Sequence, residues 1–495
     1  MEQPCLQSWP VTQLNTPQPL LRSVLVALML AIFLGALDQT IVAVSMPAIS
    51  AQFNDVGLLA WVISGYMVAM TVAVPIYGKL GDLYGRRRMI LTGTALFTLA
   101  SLFCAVAQNM EQLVLARVLQ GIGAGGMVSV SQAIIGDFVP PRERGRYQGY
   151  FSSMYALASV TGPVLGGYLT EYLSWRGVFW LNLPLGLVAW WVTRRALRTL
   201  VVPQGRARVD YVGAALLIFG LSSLLLGITL IGQGHPWYSS QVASLLLCAL
   251  LGLSVFVLHE RRAPEPLLPL KLFSNPVATL CWCTIFFTSF QAISLTMLMP
   301  LRYQSITGAG ADSAALHLLP LAIGLPIGAY CGGRLTSFTG RFKPQILGGA
   351  LMMPFAIVGM AFTPPQAAWL SGLFMILTGI ASGLQFPTSL VATQSAVEPR
   401  DIGVATSTTN LFRSLGGAMG VACMSALLLA MLQDGGLSLA GDALLGSLKA
   451  GEPSLQIQEE LTMTFRNLLL GSAMVSLLGL AAALALPDRQ LRGRQ

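Results

Sequence analysis

Charge is what this chain has least of. Asp, Glu, Lys and Arg make up 10% of its 495 residues, against about 25% in an ordinary soluble domain, so a fully water-exposed surface is excluded. Histidine occurs three times, as His235, His259 and His317, spread over separate segments. Six of the seven cysteines, Cys104, Cys248, Cys281, Cys283, Cys331 and Cys423, fall in apolar stretches, and Cys5 stands alone in the N-terminal segment. Only Cys281 and Cys283 are close in sequence, so the cysteines read as small buried hydrophobes and offer neither a disulfide framework nor metal-ligand spacing. No phosphate-cradling Walker loop and no nucleophile elbow is present. An ATP-driven pump is thereby disfavoured, and no cofactor is implied.

In place of charge there are long apolar runs. The chain is 54% hydrophobic, and Val24–Met46, Val212–Ile231 and Val242–Leu258 each approach the ~20 residues that cross a bilayer as helix. The first run is too long for a signal-peptide core and reads as a span that stays. The pattern predicts an all-α integral membrane protein with fourteen spans, which puts both termini on one side. Of the 29 basic residues, 22 fall in the two tails and in the loops on the terminal side, including Arg86–Arg88, Arg142, Arg144, Arg146, Arg194, Arg195 and Arg198. By the positive-inside rule that side is cytoplasmic. The net charge of +9 is therefore a topology signal, spread too thinly for a nucleic-acid patch.

A repeat divides the chain. Residues 78–88 read Gly-Lys-Leu-Gly-Asp-Leu-Tyr-Gly-Arg-Arg-Arg, and residues 333–343 read Gly-Arg-Leu-Thr-Ser-Phe-Thr-Gly-Arg-Phe-Lys. Both keep Gly, a second Gly seven residues on, then Arg. Two membrane-embedded halves from one plan are the layout of a transporter. The expected division is a tail at 1–22, a six-helix bundle at 23–200, an inserted two-helix hairpin at 201–262, a second six-helix bundle at 263–487 and a tail at 488–495. Pro264-Glu265-Pro266-Leu267-Leu268-Pro269 forms a stiff linker into the second bundle.

With these motifs in order, the chain resembles the major facilitator superfamily, in its 14-span drug/proton antiporter branch. Leu37-Asp38-Gln39-Thr40-Ile41-Val42 with Met46-Pro47 is similar to the branch's span 1 signature, with Ala43 and Ser45 departing from it. Residues 78–88 match the superfamily's loop between spans 2 and 3. Arg117, Gln120, Gly121 and Gly123 are similar to its proton-coupling motif. Gly162-Pro163-Val164-Leu165-Gly166-Gly167 is similar to the antiporter motif, with Ala158 in place of that motif's earlier glycine. Trp175-Arg176 and Phe179-Trp180-Leu181-Asn182-Leu183-Pro184 resemble the start of the branch's span 6. The resemblance implies a fold of two rocking six-helix bundles, proton as the coupling ion, and export of hydrophobic or amphiphilic small molecules from a bacterial cytoplasmic membrane.

Physical reading of the same residues gives roles. Asp38 is the one acidic residue deep inside a span, where a carboxylate costs on the order of 3 kcal/mol on insertion scales. Helix arithmetic puts Arg117 within ~5 Å of its depth. Desolvation and a nearby Arg act oppositely on a carboxylate, so Asp38 and Arg117 are the expected proton-coupling pair; a static ion pair is the alternative. Gly78, Gly81 and Gly85 permit close packing and a sharp turn. Asp82 can accept from a facing helix N-terminus or pair with a nearby Arg, latching the halves, while Arg86–Arg88 are expected to anchor the loop at anionic lipid headgroups. Its counterpart Ser337 predicts a weaker latch in the second half. Gly162, Pro163, Gly166 and Gly167 are expected to kink span 5 and pack at the interface of the halves. Trp61, Tyr66, Tyr155, Phe286, Phe290, Gln291, Gln385 and Gln394 are candidate substrate-binding groups, suited to amphiphiles. Arg413 either pairs inside or snorkels. His317 is placed in span 10, over 313–336.

Expected partners are amphiphilic small molecules, protons, membrane lipids and an optional periplasmic adaptor; no nucleic acid or metal is implied. Export of one endogenous metabolite or lipid-like molecule, and proton-driven uptake, are the alternatives. A membrane-embedded enzyme would need clustered polar groups that the spans lack. Outer loop 431–463 reads as a lid, a docking segment or a connection.

Overall fold

Long runs without charge leave the backbone no partner but itself inside a bilayer, so each run closes its own hydrogen bonds as helix. The structure, a computed structural model, describes residues 18–53, 58–198, 210–307, 316–364, 367–434, 455–488 and 490–491. Among them are fourteen α-helices: α1 (Gln18–Phe53), α2 (Leu59–Tyr84), α3 (Arg86–Val106), α4 (Met110–Phe138), α5 (Pro141–Tyr172), α6 (Trp175–Ala196), α7 (Tyr211–Gly232), α8 (Ser240–Glu260), α9 (Pro276–Thr307), α10 (Leu319–Thr339), α11 (Lys343–Phe362), α12 (Ala368–Ala396), α13 (Ile402–Asp434) and α14 (Leu455–Ala485). Eleven of the described helices are long and apolar enough to cross a membrane.

Side-chain chemistry sets the helix ends. Asn109, Ser174, Asp210 and Ser239 each accept a backbone N–H at the start of a helix, satisfying an otherwise orphaned donor. The two repeat loops turn at equivalent glycines. Gly85 has φ 93° and Gly340 has φ 66°, in the region where a side chain is strained. The shared Gly-to-Gly spacing in the sequence is thus the spacing from helix interior to turn in both copies.

Packing repeats with the sequence. In the first half α2 packs on α4, α3 on α4, α1 on α5, α3 on α6 and α1 on α6. In the second half α10 packs on α12, α11 on α12, α9 on α13, α11 on α14 and α9 on α14. Each pairing recurs eight helices later. The halves meet along two seams, α2 with α13 and α5 with α10, which the same shift exchanges. Hairpin α7–α8 leans through α7 on α2 and α13. The fold is two six-helix bundles with an inserted hairpin.

Hairpin and second bundle are joined by a buried acid. Glu260, 4% exposed, accepts from the backbone N–H groups of Leu267 and Leu268, both at 3.2 Å. Beside it, Asp210 caps α7 at Gly213 N (2.8 Å) and faces His259 Nε2 at 2.9 Å. A hydrogen bond to a charged group contributes about 1.5–3 kcal/mol. Glu260→Ala strands two amides, so we expect the protein purified in detergent to lose ~2–4 kcal/mol of stability, read as an earlier thermal transition; an unchanged transition would contradict this role.

Some boundaries differ from the sequence expectation. Pro320 in its first turn starts α10 at Leu319, because proline's missing N–H is harmless only there. His317 therefore precedes the helix, with its ring centroid 3.7 Å from that of Tyr303. Helices α13 and α14 extend into loop 431–463, to Asp434 and from Leu455; 435–454 lie outside the described residues. So do 1–17, 199–209, 308–315, 489 and 492–495, which include most of the expected N-terminal tail and the start of the expected hairpin segment.

Candidate functional site

Asp38 on α1 is 0% exposed and Arg117 on α4 is 1% exposed. Arg117 Nη1 donates to Asp38 Oδ2 at 2.5 Å. The other carboxylate oxygen, Oδ1, accepts from Gln120 Nε2 (2.9 Å) and Asn182 Nδ2 (2.7 Å). Arg117 also donates from Nε to the Val62 carbonyl (3.1 Å) and from Nη1 to Gln120 Oε1 (2.7 Å). Gln120 Nε2 donates to Ser101 Oγ at 2.7 Å. The guanidinium lies over the Tyr66 ring, 4.1 Å from its centroid. A carboxylate this deep persists only with such partners, and here they come from α2, α3, α4 and α6, all in one half.

The depth estimate from sequence is met by a direct bond. Gln120 and Asn182 stood in the quoted motifs, but no spacing rule said that both aim at Asp38; Ser101 had no sequence signal. The network is not saturated: among the described residues Asn182 Oδ1 is buried without a hydrogen-bond partner.

A second cluster closes the seam on the side that carries the termini. Asp82 Oδ2 accepts from Val404 N, in the first turn of α13, at 3.1 Å. Arg86 forms an ion pair with Asp82, and its Nε reaches Asp137 Oδ2 at 3.0 Å. Both options left open for Asp82 are therefore realised at once. Asp137 was missed; its signal was an acid ending α4 beside an Arg-rich loop. One turn deeper, Ser129 and Ser407 hydroxyls meet at 2.8 Å, Asn410 Nδ2 donates to Gln132 Oε1 (2.7 Å), and Gln394 Nε2 donates to the Gln132 carbonyl (3.2 Å). On the other seam Ser337 Oγ donates to the Arg142 carbonyl at 2.5 Å.

The second latch is thus a single neutral hydrogen bond where the first has two acids and an arginine. Charge-assisted bonds are roughly twice as strong as neutral ones. We expect Asp82→Asn to lower transport several-fold and Ser337→Ala to lower it by less than twofold, measured as initial rates in vesicles at equal protein. Equal losses would contradict the asymmetry.

The glycines do not all sit where the sequence put them. A Cβ on Gly162 would strike Thr40, and one on Gly166 would come within 2.8 Å of the Ile41 carbonyl. Both face α1 inside the first half. The expectation that this motif packs between the halves is corrected, because α5 turns a different face, including Gly145 and Gly149, to α10. Gly167 faces open space, and Pro163 lies within α5. In α13, Gly416 and Gly420 likewise pack on Phe286 and Phe290 of α9.

The candidate substrate residues disperse. Tyr66 lies under Arg117, Tyr155 under Arg413 at 5.4 Å, and Trp61 is partly exposed at the start of α2. The backbone at Phe286 and Phe290 forms the close approach of α9 to Gly416 and Gly420 of α13. Gln291 Nε2 donates to the Ser472 carbonyl (2.8 Å) and Gln385 Oε1 accepts from Thr288 (2.7 Å), so both amides are spent inside the second bundle. Gln394 belongs to the closure.

Residues 28–421 match the family profile described as Major Facilitator Superfamily. The chain is 35% identical over 407 residues to "Multidrug transporter protein MdtP" of Bacillus subtilis, covering 81% of this chain and 74% of that one. It is 33% identical over 400 residues to "Multidrug resistance protein 3" of the same organism, covering 80% and 78%. It is 34% identical over 412 residues to "Efflux pump dotC" of Dothistroma septosporum, covering 82% and 71%. Among solved structures, the human organic anion transporter MFSD10 superposes with a TM-score of 0.63 at 15% identity, over 92% of this chain and 99% of that one; at that identity the likeness is one of fold.

Proposed function

Because the chain belongs to the Major Facilitator Superfamily, a family of transporters, we propose that it is a proton-coupled antiporter that exports hydrophobic or amphiphilic compounds by alternating access. The observation that carries this reading is Asp38, a carboxylate buried to 0% exposure and held by Arg117, Gln120 and Asn182. Structural packing does not require an acid there, whereas a proton carrier does. The efflux names of the relatives support the export direction.

The cycle follows from the partners. The excess of basic loops assigns the terminal side to the cytoplasm, so a molecule closed there offers Asp38 to protons from outside. Protonation removes the charge that holds Arg117. The new O–H then has an acceptor ready, because Asn182 Oδ1 has no partner and amide rotation presents it. Arg117 keeps the Val62 carbonyl, Gln120 and the Tyr66 ring, so α1 and α4 loosen without exposing a bare cation. The closure between α2 and α13 then parts, the proton leaves to the cytoplasm, and substrate loads. No covalent chemistry is involved.

Everted vesicles test this. Adding a transported amphiphile to vesicles with an acid interior should release protons outward, and collapsing both the pH gradient and the membrane potential should stop accumulation. Accumulation that continues without any proton gradient would overturn the reading.

A further inference from the structure

Arg413 lies on α13, eleven residues after Ile402, or ~16 Å along the helix from the end that meets Asp82. From that depth its side chain does not reach the terminal-side headgroups. It does not pair either: no ion pair or hydrogen bond to Arg413 is present among the described residues. Instead its guanidinium lies between two aromatic rings, 5.4 Å from the centroid of Tyr155 on α5 and 5.2 Å from that of Phe386 on α12. One ring belongs to each half. Asn410, three residues earlier, bonds Gln132 in the closure, so Arg413 is the first cation on the far side of the closed seam.

Three buried arginines elsewhere in the described helices are consumed. Arg117 has Asp38, and Arg86 has Asp82 and Asp137. Arg302 donates to the carbonyls of Met360 (2.8 Å) and Thr363 (2.7 Å). Arg413 is held by ring faces, which stabilise a cation without using its N–H donors. It is also only partly buried. A guanidinium with its donors free, at the meeting of the two halves, is a fork built for an oxyanion.

We propose that Arg413 binds the anionic head of the transported molecule, so that this protein exports amphiphilic organic acids: a carboxylate or sulfonate on an apolar body that stacks on Tyr155 and Phe386. The proposal rests on the transport reading above and names the substrate class of that site. Arg117 stacks on Tyr66 and Arg413 on Tyr155, so each cation is backed by a ring of the first half. An anion at Arg413 does not expel the Asp38 proton by charge, since opposite charges at the two sites favour each other. Mutual exclusion therefore falls to the closure, which lies beside both Arg413 and the route to the terminal side. The charge balance is consistent with export. One proton moving in for one monoanion moving out carries two positive charges inward, so an inside-negative potential drives the exchange along with the pH gradient.

The test uses full-length protein in lipid nanodiscs, titrated calorimetrically with decanoate, decanamide and decyltrimethylammonium against empty nanodiscs. Wild type should bind decanoate at least about tenfold tighter than decanamide, the scale of one charge-assisted contact, and the cation weakest. Arg413→Gln should erase that ratio while leaving decanamide unchanged, and Arg413→Lys should keep part of it. Equal binding of the three by wild type, a ratio that survives in Arg413→Gln, or a uniform loss for all three overturns the proposal. The wild-type ratio decides even where a variant fails to fold. If the ratio is found but proteoliposomes show no proton-linked flux of decanoate, the antiport reading fails and the anion site stands.

Discussion

Asp38→Asn should reduce proton-driven transport to the level of protein-free vesicles. Asn keeps the shape of the side chain and the hydrogen bonds from Gln120 and Asn182 to Oδ1, but it neither binds nor releases a proton at physiological pH. It also leaves Arg117, 1% exposed, as a buried cation without its counter-charge. Breaking one side of a buried ion pair costs about 3–5 kcal/mol, so a lower melting temperature should accompany the loss of transport. The two effects separate in the double variant Asp38→Asn with Arg117→Gln. Removing both charges should recover most of the stability, because the desolvation of each ion disappears with it, while transport stays absent. Initial rates and thermal transitions of wild type, both single variants and the double variant close this cycle. A double variant as active as wild type would show that the pair is a static strut.

The second large effect lies in the closure. Gly78→Val places its Cβ on the Ser407 side chain and 2.9 Å from the Gly403 carbonyl, and Gly333→Val places its Cβ on the Gly145 carbonyl and 2.9 Å from the Arg146 backbone nitrogen. Backbone cannot move aside as a flexible side chain does, so the strain is relieved by parting the halves. Overpacking of this kind costs about 1–3 kcal/mol. Applied to one of two states, that shifts their ratio roughly 5- to 150-fold. Transport should fall at least about tenfold, and a cysteine at Ser129, whose hydroxyl meets Ser407 across the seam, should become reactive to a membrane-impermeant thiol reagent from the terminal side. The comparison is Gly167→Ala, where nothing lies within 4 Å and no effect is expected. Unchanged labelling in both valine variants would mean that this seam does not open in the cycle.

Which features were legible in the sequence follows from what determines them. The helices were legible because each is an uninterrupted apolar run, and their ends blurred where capping and proline chemistry decide, as at Leu319. The two-bundle plan was legible because the repeat loops keep their turn glycines, Gly85 and Gly340, whose backbone only glycine adopts readily. Asp38 and Arg117 stood out because charge is costly at that depth, and depth is computable from helical rise. Rotation about the helix axis is not. The sequence therefore did not say that Gly162 and Gly166 face α1, that Asn182 aims at Asp38, or that Gln291 and Gln385 turn into the second bundle. Asp137 was hidden for a similar reason: its partner Arg86 is 51 positions away, and only the packed bundle brings them together. Arg413 was visible as an anomaly, yet its two aromatic neighbours come from different halves and no local pattern could supply them.

The central claim is that proton movement through Asp38 drives substrate in the opposite direction. Its most direct test is proton flux in proteoliposomes that carry a trapped pH dye and the protein in a known orientation. With no initial pH gradient, an imposed outward substrate gradient should draw protons inward in wild type, in proportion to substrate leaving, and should draw none in Asp38→Asn. Proton flux unchanged by Asp38→Asn, or protons moving in the same direction as the substrate, would contradict it.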